Sequence, residues 1–143
     1  MKENTPHDDL FKVTFSMPSE AAAFLRTFMP EWISSKLDFN TFRQEPDTFI
    51  NENLRPYFSD IVYSCQWKDS QKAVKISFLL EHKSYVPKNI FIQLLRYLTE
   101  AYDHQYKSGN ELNLVLPVVI YHGSETWQAR NFASYFDLPD ERL

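Results

Sequence analysis

The chain has 143 residues, 43% hydrophobic, 16% aromatic and 24% charged, with a formal net charge of −4. These are the proportions of one globular domain, residues 1–143, large enough to bury its own core, and they exclude wholesale disorder. A single cysteine, Cys65, and two glycines, Gly109 and Gly123, exclude a disulfide framework, a Cys-cluster zinc site, a phosphate loop and a GxGxxG dinucleotide turn.

The first ten residues, MKENTPHDDL, contain no apolar core, and the longest apolar run, Leu114 to Tyr121, is eight residues interrupted by Pro117. No secretory signal or membrane span is predicted, and a soluble, cytoplasmic protein is expected. Charge is unevenly spread: residues 1–60 carry −4, residues 61–107 carry +3 and residues 108–143 carry −3. A basic middle between acidic ends is compatible with a polyanion reaching one face, and equally with ordinary surface scatter.

In chain order, a polar head precedes Pro18-Ser19-Glu20 and the alanine-rich stretch Ala21 to Phe28, which predicts a helix stopped by Pro30. A short helical piece is expected at Trp32 and Ile33. Residues 36–56 follow no single period and read as strand or loop. The runs 57–67 and 73–82 are β-branched and aromatic, and the polar link Lys68 to Lys72 joins them as a hairpin. A two-residue loop at Ser70-Gln71 pairs Trp67 with Val74, Cys65 with Ile76, Tyr63 with Phe78 and Ile61 with Leu80, giving one dry face. It pairs Asp60 with Glu81 on a mostly polar face.

A helix is predicted from about Pro87 to Lys107, capped by Gly109, with Ile90, Phe91, Leu94, Leu95, Leu98, Ala101 and Tyr102 as its apolar stripe. Gln93 and Tyr97 fall at the margin of that stripe. Residues 114–121 form a buried strand in which Pro117 implies an edge or a bulge. Phe132 to Tyr135 resembles the start of another helix, and the absence of a finishing element after it suggests the amino-terminal part of a longer protein. The order of elements is that of an α/β or α+β domain.

Directly opposed carboxylates repel unless a proton or cation lies between them, and hard divalent ions are commonly held by one or two carboxylates plus substrate oxygens. Lys83, two residues beyond Glu81, turns to the same face. Two acids and a lysine are what metal-assisted phosphodiester hydrolysis needs. A solvated Asp60 and a surface pair between Glu81 and Lys83 explain the same residues without any chemistry. Lys68, Lys72, Lys75, Lys88 and Arg96 could meet phosphates or be solvated charges.

Asp60 followed by Glu81-His82-Lys83 resembles the PD-(D/E)xK nuclease signature, and Gln93 to Tyr97 resembles the QxxxY element of several branches of that superfamily. Further motifs lie in the order of one family. These are Thr5-Pro6-His7-Asp8 with Phe11-Lys12, Ser59-Asp60-Ile61, Leu80 to Ser84, Arg96-Tyr97, Leu116 to Val119 and Tyr121-His122-Gly123. The chain is similar, from Thr5 to about Trp127, to the recombination-promoting nucleases (Rpn), also called YhgA-like putative transposases. The resemblance implies a restriction-endonuclease-like core, a central mixed β-sheet flanked by helices. It implies a Mg2+-dependent DNA endonuclease, with Mn2+ as a substitute, from a bacterial mobile-element or recombination context.

By the same resemblance, Asp60 and Glu81 match the metal-binding acids, Lys83 the catalytic lysine, and Gln93 and Tyr97 the supporting pair. The resemblance also offers the His82 carbonyl as a metal ligand, while the His82 side chain faces away into packing. Asp8 matches an amino-terminal acid of undefined role. Many family members carry glutamine where Lys83 stands and are about twice as long. DNA is the expected partner and a homodimer a candidate assembly. A catalytically inactive nuclease-like module that binds DNA or protein is the rival reading, and an RNA nuclease a third.

Overall fold

Thr5 opens the first helix, α1 (Pro6–Phe15), with a reciprocal cap. Its hydroxyl accepts the Asp8 N–H at 3.2 Å, and the Asp8 carboxylate accepts the Thr5 N–H at 3.3 Å. The computed structural model describes residues 5–46, 48–85, 87–127 and 130–140. The head expected to be merely polar is therefore helical, and its apolar side buries Phe11 and Phe15. Helices α2 (Pro18–Phe28) and α3 (Glu31–Ser34) follow where they are predicted, separated at Pro30.

Four strands make one sheet in the order β1 (Leu37–Gln44), β2 (Phe58–Trp67), β3 (Ala73–Glu81), β4 (Leu114–Ile120). The first three are antiparallel, and β4 runs parallel to β3 after the crossover helix α4 (Ile90–Lys107). Residues 36–56 thus split into strand β1 and a long loop. A short 3-10 turn covers Phe132–Tyr135. The domain is α/β, a four-stranded mixed sheet flanked by helices, and is consistent with a nuclease-like core. Pro117 sits on β4, at the edge of the described sheet, where a missing N–H disturbs least.

The sheet separates two cores. Phe11, Phe15, Ala21 and Leu25 of α1 and α2 pack on Ile61, Tyr63, Cys65, Val74, Ile76, Phe78 and Leu80. This is the dry face read from the hairpin. The other face is not mostly polar: Phe58, Val62 and Leu79 lie under Ile90, Tyr97 and Ala101 of α4.

The pairing register is also displaced by two residues from the predicted one. Cys65 pairs with Val74, Asp60 with Leu79 and Phe58 with Glu81. The turn centres on Asp69-Ser70, not Ser70-Gln71. Asp69 takes a left-handed φ of 59°, and the Ser70 N–H donates to the Trp67 carbonyl at 3.3 Å. Aspartate tolerates that conformation better than most residues. A slip of two leaves every side chain on its own face, so Asp60 and Glu81 still share one. They are diagonal neighbours across the pair, about 7–8 Å apart at the backbone, not directly opposed.

Helix α4 starts at Ile90, with Pro87 three residues upstream, and ends at the Ser108 cap followed by Gly109 at φ 71°. Its buried line is Ile90, Gln93, Tyr97, Ala101 and Gln105. Leu95, assigned to the apolar stripe, is instead 45% exposed. The helix is rolled so that Tyr97 meets Asp60 of the sheet, while Gln93 and Gln105 find partners in Asn89 and Asn113.

Candidate active site

Asp60 lies near the start of β2 and is gripped from two directions. Its Oδ2 accepts the Tyr97 hydroxyl at 2.9 Å and the Phe49 N–H at 2.9 Å, and its Oδ1 accepts the Thr48 hydroxyl. Helix α4 and the loop after β1 therefore set the orientation of one carboxylate. Tyr97 is wholly buried, and burial, with the negative Asp60 beside it, drives its pKa far upward. The phenol remains a donor at every working pH.

Glu81 ends β3 and is also wholly buried. Its Oε1 accepts the Lys83 N–H at 2.9 Å; among the described residues its Oε2 has no hydrogen-bond partner. Burial pushes its pKa up, opposed by the Lys83 N–H and ammonium and by the His82 backbone. Gln93, on the same side, donates from Nε2 to Asn89 Oδ1 at 3.1 Å, while its Oε1 has no partner among the described residues. These two atoms, Glu81 Oε2 and Gln93 Oε1, lie between β3 and α4, on the face that carries Asp60. Folded domains leave few such atoms, and a group of them marks a place where an ion or water completes the bonding.

Lys83 is exposed just past the end of β3. The His82 ring turns to the opposite face, as alternation predicts. It meets polar groups there: Ser59 Oγ lies 2.9 Å from its Nε2 and Asp8 Oδ1 3.6 Å away. Of the candidate phosphate contacts, Lys75 is held by Glu45 at 2.9 Å. The fold thus brings Asp60, Glu81, Gln93 and Tyr97 to one face, with Lys83 at its rim. Sequence reasoning missed Thr48, Phe49 and Asn89. Thr48 and Phe49 lie on a loop without periodicity, and the Phe49 contribution is a backbone N–H that no residue type reveals.

Two carboxylates, one with a buried free oxygen, form a hard-oxygen donor set that fits a small divalent cation sharing its shell with water and substrate. Among the described residues no cluster of three or more His, Cys, Asp or Glu side chains is arranged for a metal.

The family model described as "Putative transposase, YhgA-like" matches residues 5–142. The chain belongs to that family. It is 34% identical over 139 residues to the inactive recombination-promoting nuclease-like protein RpnE of Escherichia coli K12, covering 95% of this chain and 46% of RpnE. It is 34% identical over 126 residues to the recombination-promoting nuclease RpnA of the same strain, covering 87% of this chain and 42% of RpnA. For RpnC the identity is 30% over 123 residues, 85% of this chain and 40% of RpnC. The chain spans less than half the length of these relatives. No solved structure matches it significantly. The similarity supports a nuclease-family role, within a family that holds both proteins named as nucleases and proteins named as inactive. No helix among the described residues is long and apolar enough to cross a membrane.

Proposed function

We propose that this chain is a divalent-metal-dependent DNA endonuclease core that hydrolyses phosphodiester bonds. The observation that carries the reading is the buried Glu81 Oε2, without a hydrogen-bond partner among the described residues, on the face where Tyr97 and Phe49 orient Asp60. Mg2+ or Mn2+ held by Asp60, Glu81 and the His82 carbonyl would polarise the scissile phosphate and lower the pKa of the attacking water.

This chain's residues would do the rest. Tyr97 and the Phe49 N–H hold Asp60 at a fixed angle, so its carboxylate needs no reorganisation when a ligand arrives. The Lys83 ammonium, exposed at the rim, orients the water and offsets charge developing on the phosphate. Gln93, with Tyr97, braces the site from α4, and its buried Oε1, without a hydrogen-bond partner among the described residues, is kept for a ligand or water. A bacterial recombination or mobile-element context follows from the relatives named as recombination-promoting nucleases.

Asp60→Ala, Glu81→Ala and Lys83→Ala should each abolish cleavage of supercoiled plasmid while the chain stays folded by circular dichroism. Undiminished cutting by all three would sink the reading. The second reading, an inactive module that binds DNA, is favoured by the 34% identity to a relative named inactive. It requires retention of DNA without cleavage, with or without a divalent ion.

A further inference from the structure

Asp8 meets the Glu81-His82-Lys83 segment on the sheet face opposite the candidate site. One of its oxygens, Oδ2, serves the helix cap, accepting the Thr5 N–H at 3.3 Å and the Thr5 hydroxyl at 3.0 Å. The other, Oδ1, does not serve α1 at all. It accepts the Ser59 hydroxyl at 3.1 Å and lies 3.6 Å from His82 Nε2, and Ser59 Oγ is itself 2.9 Å from that nitrogen. Both ionisable side chains are largely enclosed, Asp8 at 14% and His82 at 20% exposure. Burial alone would raise the Asp8 pKa. The hydrogen bonds from Thr5 and Ser59, with His82 nearby, outweigh it and hold the carboxyl below its ordinary value.

The place of these contacts is what matters. Ser59 adjoins Asp60 on β2, and His82 stands between Glu81 and Lys83. The β3 ladder ends at Glu81, after which the backbone is held by the His82 N–H donating to the Tyr57 carbonyl at 2.9 Å. Strand alternation is enforced beyond that point by whatever anchors the His82 side chain. Drawing the ring toward α1 directs Glu81 and Lys83 to the other face.

We propose that Asp8 is a positioning residue: through Ser59 and His82 it ties α1 to the ends of β2 and β3, and so holds Asp60, Glu81 and Lys83 in mutual geometry. The inference rests on the nuclease reading for its catalytic consequence, but not for its structural one.

The test compares Asp8→Ala, Ser59→Ala, Asp8→Asn and Thr5→Ala in the whole chain. Backbone amide NMR signals of His82 and Lys83 should move in Asp8→Ala and Ser59→Ala, with those of Val74 and Ile76 unchanged. Cleavage with Mg2+ should fall about tenfold in both, as for loss of outer partners at a metal site. Asp8→Asn, which keeps an acceptor for Ser59, should recover most of it. Thr5→Ala should lower the melting temperature while leaving the Lys83 amide in place and costing less than about twofold in rate, because it breaks only the cap.

Equal losses of rate and equal amide shifts in Thr5→Ala and Asp8→Ala would overturn the proposal, reducing Asp8 to a helix cap. An unmoved Lys83 amide in Asp8→Ala would overturn it as well. A wild type that cuts no DNA would refute the nuclease reading separately, since the amide shifts are read without activity.

Discussion

Glu81→Gln should make the protein more stable at neutral and alkaline pH. Glu81 is wholly buried, with one oxygen bonded to the Lys83 N–H and the other bonded to nothing described. A buried polar group left unsatisfied costs about 1–3 kcal/mol, more when charged. Glutamine keeps an oxygen for the Lys83 N–H and removes the charge. Unfolding entropy of about 2.1 cal/mol/K per residue, over 143 residues, amounts to about 0.3 kcal/mol per kelvin. The glutamine Nε2 stays buried, so the gain is only what the charge adds to the cost of a buried polar group, and each 1 kcal/mol of it reads as a rise of about 3 °C in melting temperature.

The pH dependence has a definite sign. Burial raises the Glu81 pKa above its ordinary 4.5, so the folded state binds this proton more tightly than the unfolded chain. Wild type therefore loses stability, relative to the variant, as pH rises from about 4.5 through the folded pKa, and the gap is constant above it. Thermal melts in chelator-treated buffer from pH 5 to pH 8 measure this directly. A Glu81→Gln protein that melts below wild type at pH 8, or a gap that widens on acidification, would refute the reasoning.

Tyr97→Phe keeps the ring packing but deletes a donor to the Asp60 carboxylate, and should cost about 1.5–3 kcal/mol in urea unfolding along with most of the cleavage rate. Asp69→Gly should raise stability by up to about 1 kcal/mol, since glycine occupies a φ of 59° without Cβ strain, and a lower urea midpoint would contradict the turn assigned here. Cys65 is fully buried and burial pushes its thiol pKa up, so alkylation at pH 8 should be slow in the native protein and complete in urea; rapid native labelling would place it elsewhere.

The main elements are legible from residue pattern, and the site only partly so. Strands β2 and β3 announce themselves by alternating apolar and β-branched residues, and that alternation puts Asp60 and Glu81 on one face. It cannot distinguish registers two residues apart, because both leave Tyr63, Cys65, Ile76 and Phe78 on the dry side. The turn decides between them, and the signal lay in Asp69, a residue able to adopt positive φ. Helix α1 is not legible from periodicity, because its buried side is only Phe11 and Phe15. The Thr5-to-Asp8 capping spacing was its real signature. On α4, periodicity weighs hydrophobicity alone and so places Gln93 and Tyr97 at the margin. The structure buries them because Asp60 accepts the Tyr97 hydroxyl and Asn89 the Gln93 amide.

The central claim is that Asp60 and Glu81 form a metal-dependent phosphodiesterase site. Incubation of the purified chain with supercoiled plasmid in Mg2+, in Mn2+ and in EDTA, beside Asp60→Ala prepared identically, tests it most directly. Wild type should give nicked and linear DNA with either ion, and none should form in EDTA or with the variant. Equal cutting in EDTA, or equal cutting by Asp60→Ala, would contradict it.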